Sequence, residues 1–263
     1  MKIGFIGCGN MGGALARAAS KISDAELLLA DHSKEKASAL SKELSAAVAR
    51  NREIASTCEL VFLAVKPNVI EGVAAEIKDE LLASGATVVT MAAGVKLEKL
   101  EAILGKDCPI IRIMPNTPCA VGCGMITWCK NEAVTDSLAE KFCKALSAAG
   151  RLDMIPESML DAASAIAGCG PAFVYMFADA LADGGVAAGL PRDKALSYAI
   201  ETIIGAGEMM KETGKHPEKL KDEVCSPGGS TIEGVLALED GAFRSCAAGA
   251  VIAAFEKTKL LGK

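Results

Sequence analysis

A short apolar segment, Lys2 to Ile6, runs directly into Gly7-Cys8-Gly9-Asn10-Met11-Gly12, and helical spacing follows from Gly13 to Lys21. No other feature restricts the fold of the chain as much. Three glycines at these intervals, between a strand and a helix, serve three purposes. Gly7 permits a tight reversal, Gly9 lets a pyrophosphate reach the backbone, and Gly12 removes a side chain where helix and strand cross. The helix N-terminus then presents its N–H groups to the anion. The chain is therefore expected to open with a dinucleotide-binding domain whose first contacts are Gly7, Gly9, Asn10, Met11 and Gly12.

The pattern continues in the same sense. Glu26 to Ala30, Leu60 to Val65, Thr87 to Met91, Pro109 to Met114, Gly124 to Trp128 and Arg151 to Ile155 read as strands. Lys34 to Leu44, Asn68 to Leu82, Lys96 to Ile103 and Asp136 to Ala149 read as helices between them. Strands alternating with helices imply a parallel, doubly wound α/β sheet. After Pro156 only helical periodicity remains, with main helices over Pro171–Ala188, Arg192–Thr213, Ile232–Leu238 and Phe243–Leu261. The expected division is a Rossmann domain over 1–155 and an all-α domain over 156–263. Small-residue faces at Ala180 to Gly189 and Ala247 to Ala254 allow close helix approach, so a homodimer or higher oligomer is expected.

With 263 residues, 51% of them hydrophobic, the chain can bury a large core. A net charge of −5 without a basic stripe argues against nucleic acid as partner. The run Ala162 to Ala178 lacks charge but is short for a membrane span, and Gly168-Cys169-Gly170-Pro171 interrupts it; it is expected to be a buried helical region. Ten cysteines lie scattered rather than in paired spacings, which fits reduced thiols in a cytoplasmic protein. Cys119, Cys123 and Cys129 lack ligand spacing and a nearby histidine, so no metal site is expected.

The strand ends supply further cofactor candidates, because open α/β sheets bind ligands outside the carboxyl ends of their strands. Asp31, after the second strand, is placed to hold ribose hydroxyls, whereas His32, Ser33, Lys34 and Lys36 are suited to a 2′-phosphate. The expected cofactor is NADPH, with some use of NADH. Ala64-Val65-Lys66-Pro67 and Ala93-Gly94 follow two more strands, and Asn116 is either a partner near the nicotinamide or the cap of a turn.

Late in the chain, Cys225-Ser226-Pro227-Gly228-Gly229-Ser230-Thr231 opens a helix. Pro227 and two glycines make a tight turn, with Ser230 or Thr231 as the N-cap. Outward N–H groups of such a turn bind anions, and with no Lys or Arg in the run a carboxylate is the apt guest. The other reading is a plain helical corner.

Taken together, Gly7–Gly12, Ala64–Pro67, Met114–Pro118, Gly168–Ala172, Asp179–Gly185, Gly189-Leu190-Pro191 and Ser226–Thr231 with Leu238, Glu239 and Gly241 resemble pyrroline-5-carboxylate reductase nearly end to end. The resemblance implies a Rossmann domain, a helical dimerisation domain, an active site shared between subunits, and the last step of proline synthesis. It also implies a substrate carboxylate on Ser226 and Gly228 to Thr231, with the Thr231 hydroxyl near the ring nitrogen. Where many relatives have a serine-rich run, this chain has Ala167-Gly168-Cys169-Gly170-Pro171-Ala172, so the turn is kept and a serine role there is not. The chemistry agrees. A cyclic imine is basic enough to be protonated in part near neutral pH, so position matters more than a strong general acid. A hydroxy-acid dehydrogenase would need a proton relay, and Phe173-Val174-Tyr175-Met176 offers only Tyr175, read as a core aromatic. Asp179 and Asp183, four apart on one helix face, could form a catalytic pair but read rather as a solvated edge or a helix-pairing contact. A non-catalytic cofactor sensor is the contrasting reading; it has no use for the Ser226–Thr231 turn.

Overall fold

The structure, a computed structural model, describes residues 1–261. Contacts divide it into two units, one of Met1–Cys169 joined by the chain from Ala254 onward, the other of Gly170–Ala253.

The first unit is built on an eight-stranded sheet: β1 (Lys2–Ile6), β2 (Glu26–Ala30), β3 (Ala47–Val48), β4 (Leu60–Leu63), β5 (Thr87–Thr90), β6 (Ile110–Met114), β7 (Gly124–Lys130) and β8 (Gly150–Met154), in the order β3-β2-β1-β4-β5-β6-β7-β8. The central strands are buried on both faces and read as apolar runs such as Leu60-Val61-Phe62-Leu63, as a parallel sheet covered by helices requires. All pairings are parallel except β6 with β7, where Arg112 faces Cys129 and Ile113 faces Trp128. The expectation of a wholly parallel sheet is corrected at that point. The connection Pro115–Cys123 holds only a 3₁₀ turn, Thr117–Val121, and is shorter than the dozen or so residues a parallel crossover needs.

Helices α1 (Asn10–Ala19), α2 (Lys34–Leu44) and α6 (Asp136–Ala145) cover one face, burying Leu15, Leu40 and Phe142 against Phe5, Phe62 and Trp128. The rings of Phe5 and Phe62 stack with centroids 4.5 Å apart. Helices α3 (Asn51–Thr57), α4 (Ile70–Ser84), α5 (Leu97–Leu104) and α7 (Glu157–Ala167) cover the other, through Ile54, Ile77, Leu81, Leu100, Leu104 and Leu160. The sequence pattern did not show β3 or α3. β3 is two exposed residues paired only with Leu28 and Leu29, and α3 is seven residues with no side-chain cap.

Helix α7 belongs by contact to the sheet, so the contact division lies at Cys169, beyond the change of pattern at Pro156. The cause is Arg112, almost fully buried on β6. Its guanidinium donates to Glu157 at 2.9 Å and to Asp161 at 3.3 Å, both on α7. Glu157 also accepts the Leu97 N–H at 2.8 Å, which joins the start of α5 to the same cluster.

The second unit consists of α8 (Gly170–Ala187), α9 (Arg192–Thr213), α10 (Pro217–Val224), α11 (Ser230–Asp240) and the first part of α12 (Phe243–Leu261). Helices α8 and α9 meet closely. A Cβ on Gly185 would lie 3.0 Å from that of Ala195, and Ala182, Ala195 and Ala199 are buried. Almost everything else on these helices is open in the single chain. The run expected to be buried, Ala162–Ala178, is broken at Gly168–Cys169, and its second half exposes Val174, Tyr175 and Met176. Tyr175 is 63% exposed and is not a core aromatic of this chain. Asp183 pairs with Arg192 at 2.5 Å.

Candidate functional site

Parallel pairing gives β1, β2, β4, β5 and β6 one direction, so the residues after each of them share one edge of the sheet. Gly7–Gly12, Asp31–Lys34, Ala64–Pro67, Ala93-Gly94 and Asn116 are thereby brought to one rim. β1 lies between β2 and β4, which is the switch point where open sheets place their ligands.

Each glycine of the fingerprint has a distinct physical task. Gly7 has φ +109°, and a Cβ there would sit 2.3 Å from the carbonyl oxygen of Ala64. A Cβ on Gly12 would come within 2.2 Å of the Gly7 carbonyl oxygen and 2.8 Å of the Ala64 Cβ. Gly9 differs, for a Cβ there would meet nothing within 4 Å. Its missing side chain serves no packing need of the chain and leaves room for something from outside. Gly9 also N-caps α1 without a side-chain hydrogen bond, which leaves the first N–H groups of that helix available to an anion. Asn10 stands exposed at the start of the helix, with Met11 half-buried behind it.

The Asp31 carboxylate folds this loop. One oxygen accepts the Cys8 N–H at 2.7 Å; the other accepts the Ser33 N–H at 2.8 Å and lies 3.0 Å from His32 Nδ1. The Asp31 side chain is only 6% exposed, whereas that of His32 is 93% exposed. Asp31 thus takes one backbone N–H on each oxygen, a structural task that the sequence reading did not foresee. Burial, and then the Asp31 charge, push the Cys8 thiol up to about 11, so it stays protonated at neutral pH. Ser33 caps α2 by accepting the Lys36 N–H at 3.3 Å and donates to Glu35 at 2.8 Å. Lys34 is exposed beside it and forms no ion pair among the described residues. A cavity of about 770 Å³ opens here, lined by Asp31, Lys34, Ser38, Arg50, Asn51 and Glu76 among others. The sequence reading missed Arg50 and Asn51, which follow the two-residue β3. Asn51 donates to Glu76 at 3.0 Å.

Further along the rim, Ala64 and Val65 are half-buried, and Lys66 and Pro67 exposed. Gly94 turns the chain after β5 with Ala93 half-buried before it. Asn116 is tied into the fold. Its Nδ2 donates to the Ala167 carbonyl at 2.9 Å and its Oδ1 accepts the Met125 N–H at 3.0 Å. The alternative of a side chain turned to the nicotinamide gives way to a buried strut between β6, β7 and α7.

In the second unit the Ser226–Gly229 turn is closed by the Gly229 N–H bonding the Ser226 carbonyl at 3.0 Å, with Gly228 at φ +67°. Pro227 then Gly228 is the order that a turn with positive φ at its third residue favours. The N-cap of α11 is Gly229, not Ser230 or Thr231, and no side chain caps the helix. The cause is the turn itself, since its hydrogen bond places Gly229 at the junction in an extended conformation. The N–H groups of Ser230, Thr231 and Ile232 therefore lack an intrahelical partner at the positive end of an eleven-residue helix. Ser230 is exposed and Thr231 half-buried. Such a terminus accepts a carboxylate without a cation nearby. Among the described residues no group of three or more His, Cys, Asp or Glu is arranged to hold a metal ion.

Two family models match the chain. One, described as pyrroline-5-carboxylate reductase dimerisation, covers residues 157–261, and the other, NADP oxidoreductase coenzyme F420-dependent, covers residues 2–94. Pyrroline-5-carboxylate reductase of Escherichia coli is 38% identical over all of this chain and 98% of its own length. Among solved structures, a Plasmodium falciparum pyrroline carboxylate reductase with NADP bound superposes with a TM-score of 0.90 at 34% identity, covering 100% of this chain and 98% of that one. A Coxiella burnetii pyrroline-5-carboxylate reductase gives 0.91 at 30% identity, covering 99% and 98%. A Streptomyces aurantiacus imine reductase shares the fold, with a TM-score of 0.56 at 19% identity over 98% of this chain and 93% of that one.

Proposed function

We infer that this chain, which belongs to the pyrroline-5-carboxylate reductase family, reduces the C=N bond of 1-pyrroline-5-carboxylate to L-proline with NADPH, NADH serving less well. The dinucleotide when bound supplies the hydride. The chain holds it through the open backbone at Gly9 and the uncapped start of α1, with Asn10 and Met11 beside them. Beyond Asp31, whose carboxylate already takes two backbone N–H groups, the rim presents His32, Ser33 and Lys34, groups suited to a 2′-phosphate. Ala64–Pro67, Ala93 and Gly94 complete the rim, and Asn116 supports it from beneath.

The observation that carries the substrate assignment is the uncapped start of α11. The N–H groups there take the substrate carboxylate, with Ser226, Gly228 and Gly229 shaping the turn. Thr231 is the catalytic residue of this reading. Its hydroxyl is one residue inside the same helix, and it orients the ring nitrogen by a hydrogen bond. The imine arrives partly protonated, so fixed geometry and exclusion of water do most of the work. The second unit, with its exposed apolar helices, works as a homodimer or larger homo-oligomer of a cytoplasmic enzyme. Its partner covers the face that includes Val174, Tyr175 and Met176.

The test is direct. Purified protein mixed with pyrroline-5-carboxylate should oxidise NADPH, followed by loss of the reduced nicotinamide absorbance. Thr231→Ala should lower kcat by about 10²-fold, the cost of lost orientation, and leave NADPH affinity unchanged. No turnover with either NADPH or NADH would remove the assignment, and an undiminished rate in the variant would remove the role of Thr231.

A further inference from the structure

The turn that offers those N–H groups lies between two helices with little holding them. Neither α10 nor α11 contains a fully buried residue. Among the described residues one side chain ion-pairs with both. Arg244, in the first turn of α12, reaches Glu218 at the start of α10 with Nη1 at 2.9 Å and Glu239 near the end of α11 with Nε at 2.5 Å. The guanidinium thus closes the chain segment 218–239 at its two ends, and the Ser226–Gly229 turn lies in the middle. We propose that Arg244 is a positioning residue for the reaction. It clasps α10 to α11, and so fixes the N–H groups that take the substrate carboxylate.

A forked guanidinium suits this task, since it holds two carboxylates at once in a fixed plane. Lys221 strengthens one arm, binding Glu218 at 2.8 Å, and Lys215 fixes the same helix through Glu223 at 2.9 Å. These contacts, Lys221 first and Arg244 second, hold the Glu218 carboxyl down at about 2, so that arm of the clasp stays charged at neutral pH. Arg244 is set in place by a tight connection. The Ala242 N–H bonds the Glu239 carbonyl at 2.9 Å, and Ala242 is one of two non-glycine residues with positive φ among those described, at +55°.

The substrate carboxylate binds alike before and during hydride transfer. A loosened turn therefore costs uniform binding, which raises KM, and it also lets the Thr231 hydroxyl drift, which lowers kcat to a smaller extent. Arg244→Ala is expected to raise KM for pyrroline-5-carboxylate about tenfold and to lower kcat by less than Thr231→Ala does, with NADPH affinity near wild type. Arg244→Lys, which keeps charge but not the fork, is expected to recover part of the loss. Hydrogen exchange supplies a readout independent of turnover, since the hydrogen-bonded amides of Gly229 and of the first bonded turn of α11, Glu233 to Leu236, should exchange faster in Arg244→Ala. The assignment rests on the substrate reading above, and the two fail separately. A wild-type protein inactive on pyrroline-5-carboxylate removes that reading and leaves the clasp to the exchange measurement. Wild-type KM and unchanged exchange in Arg244→Ala overturn the clasp. If that variant does not fold, Glu218→Gln and Glu239→Gln each open one arm, and unchanged KM and exchange in both overturn it equally.

Discussion

Gly9 and Gly12 stand three residues apart in one motif, yet the structure demands opposite consequences of giving each a methyl group. At Gly12 the new carbon would lie 2.2 Å from the Gly7 carbonyl oxygen. A close C–H···O contact needs about 3.3 Å, so α1 must retreat by about 1 Å from the loop between β1 and α1. Overpacking of this kind costs about 1–3 kcal/mol, partly offset by about 1 kcal/mol of helix propensity gained over glycine. Gly12→Ala should therefore lose up to about 2 kcal/mol of stability and bind NADPH poorly, because the shift displaces the N–H groups that hold the pyrophosphate. At Gly9 the methyl meets nothing, and φ −72° with ψ −170° suits alanine. Gly9→Ala should stay within about 1 kcal/mol of wild type, the usual scale for a changed N-cap. If the pyrophosphate rests on that backbone, the methyl displaces it at a cost of about 1–3 kcal/mol, or about 5- to 150-fold in Kd. Urea unfolding at fixed protein concentration gives the stability, and quenching or transfer of NADPH fluorescence gives Kd. A Gly9→Ala protein that binds NADPH as wild type does would refute the reasoning, whatever its stability.

Three other outcomes follow from the structure. Asn116→Ala should lose about 2–4 kcal/mol in urea unfolding, because it leaves the half-buried Met125 N–H and Ala167 carbonyl unpaired at about 1–2 kcal/mol each; a loss under 1 kcal/mol would show that neither bond matters. The Glu218 carboxyl is depressed to about 2 in the folded chain, against about 4.3 when unfolded. Its contribution is thus present above about pH 4.3 and lost as pH falls toward 2, so wild type should lose stability relative to Glu218→Gln across that window, less so at high salt; parallel acid-unfolding curves would contradict it. Alkylation with iodoacetamide at neutral pH should reach exposed Cys123 well before Cys8, Cys108 or Cys129, whose thiols burial pushes up to about 11, 11 and 12; mass spectrometry showing Cys8 labelled first would be the contrary result.

The glycine loop was legible because its spacing encodes a steric demand, and the structure shows that demand at Gly7 and Gly12 as contacts with the Ala64 backbone and side chain. Strands such as Leu60–Leu63 were legible because burial on both faces leaves an unbroken apolar run. What could not be read depended on distant partners. Asp31 looks like a ribose ligand in sequence, and only folding brings the Cys8 and Ser33 N–H groups onto it. Asn116 binds residues on two other elements, and β7 turns antiparallel because of a short connection rather than because of its own composition. Arg50 and Asn51 reach the rim cavity through a strand too short to leave a pattern. The N-cap of α11 fell on Gly229 because the turn hydrogen bond outweighed the capping preference of Ser230 and Thr231.

The second unit, Gly170–Ala253, has almost no interior of its own, with Ala182, Ala195 and Ala199 as its buried apolar residues. Its hydrophobic free energy must come from surface hidden by another copy, so completing the fold is a second-order event. Dilution should then lower the melting temperature, and a cell making too little of this polypeptide would hold unfinished subunits rather than a smaller amount of finished enzyme.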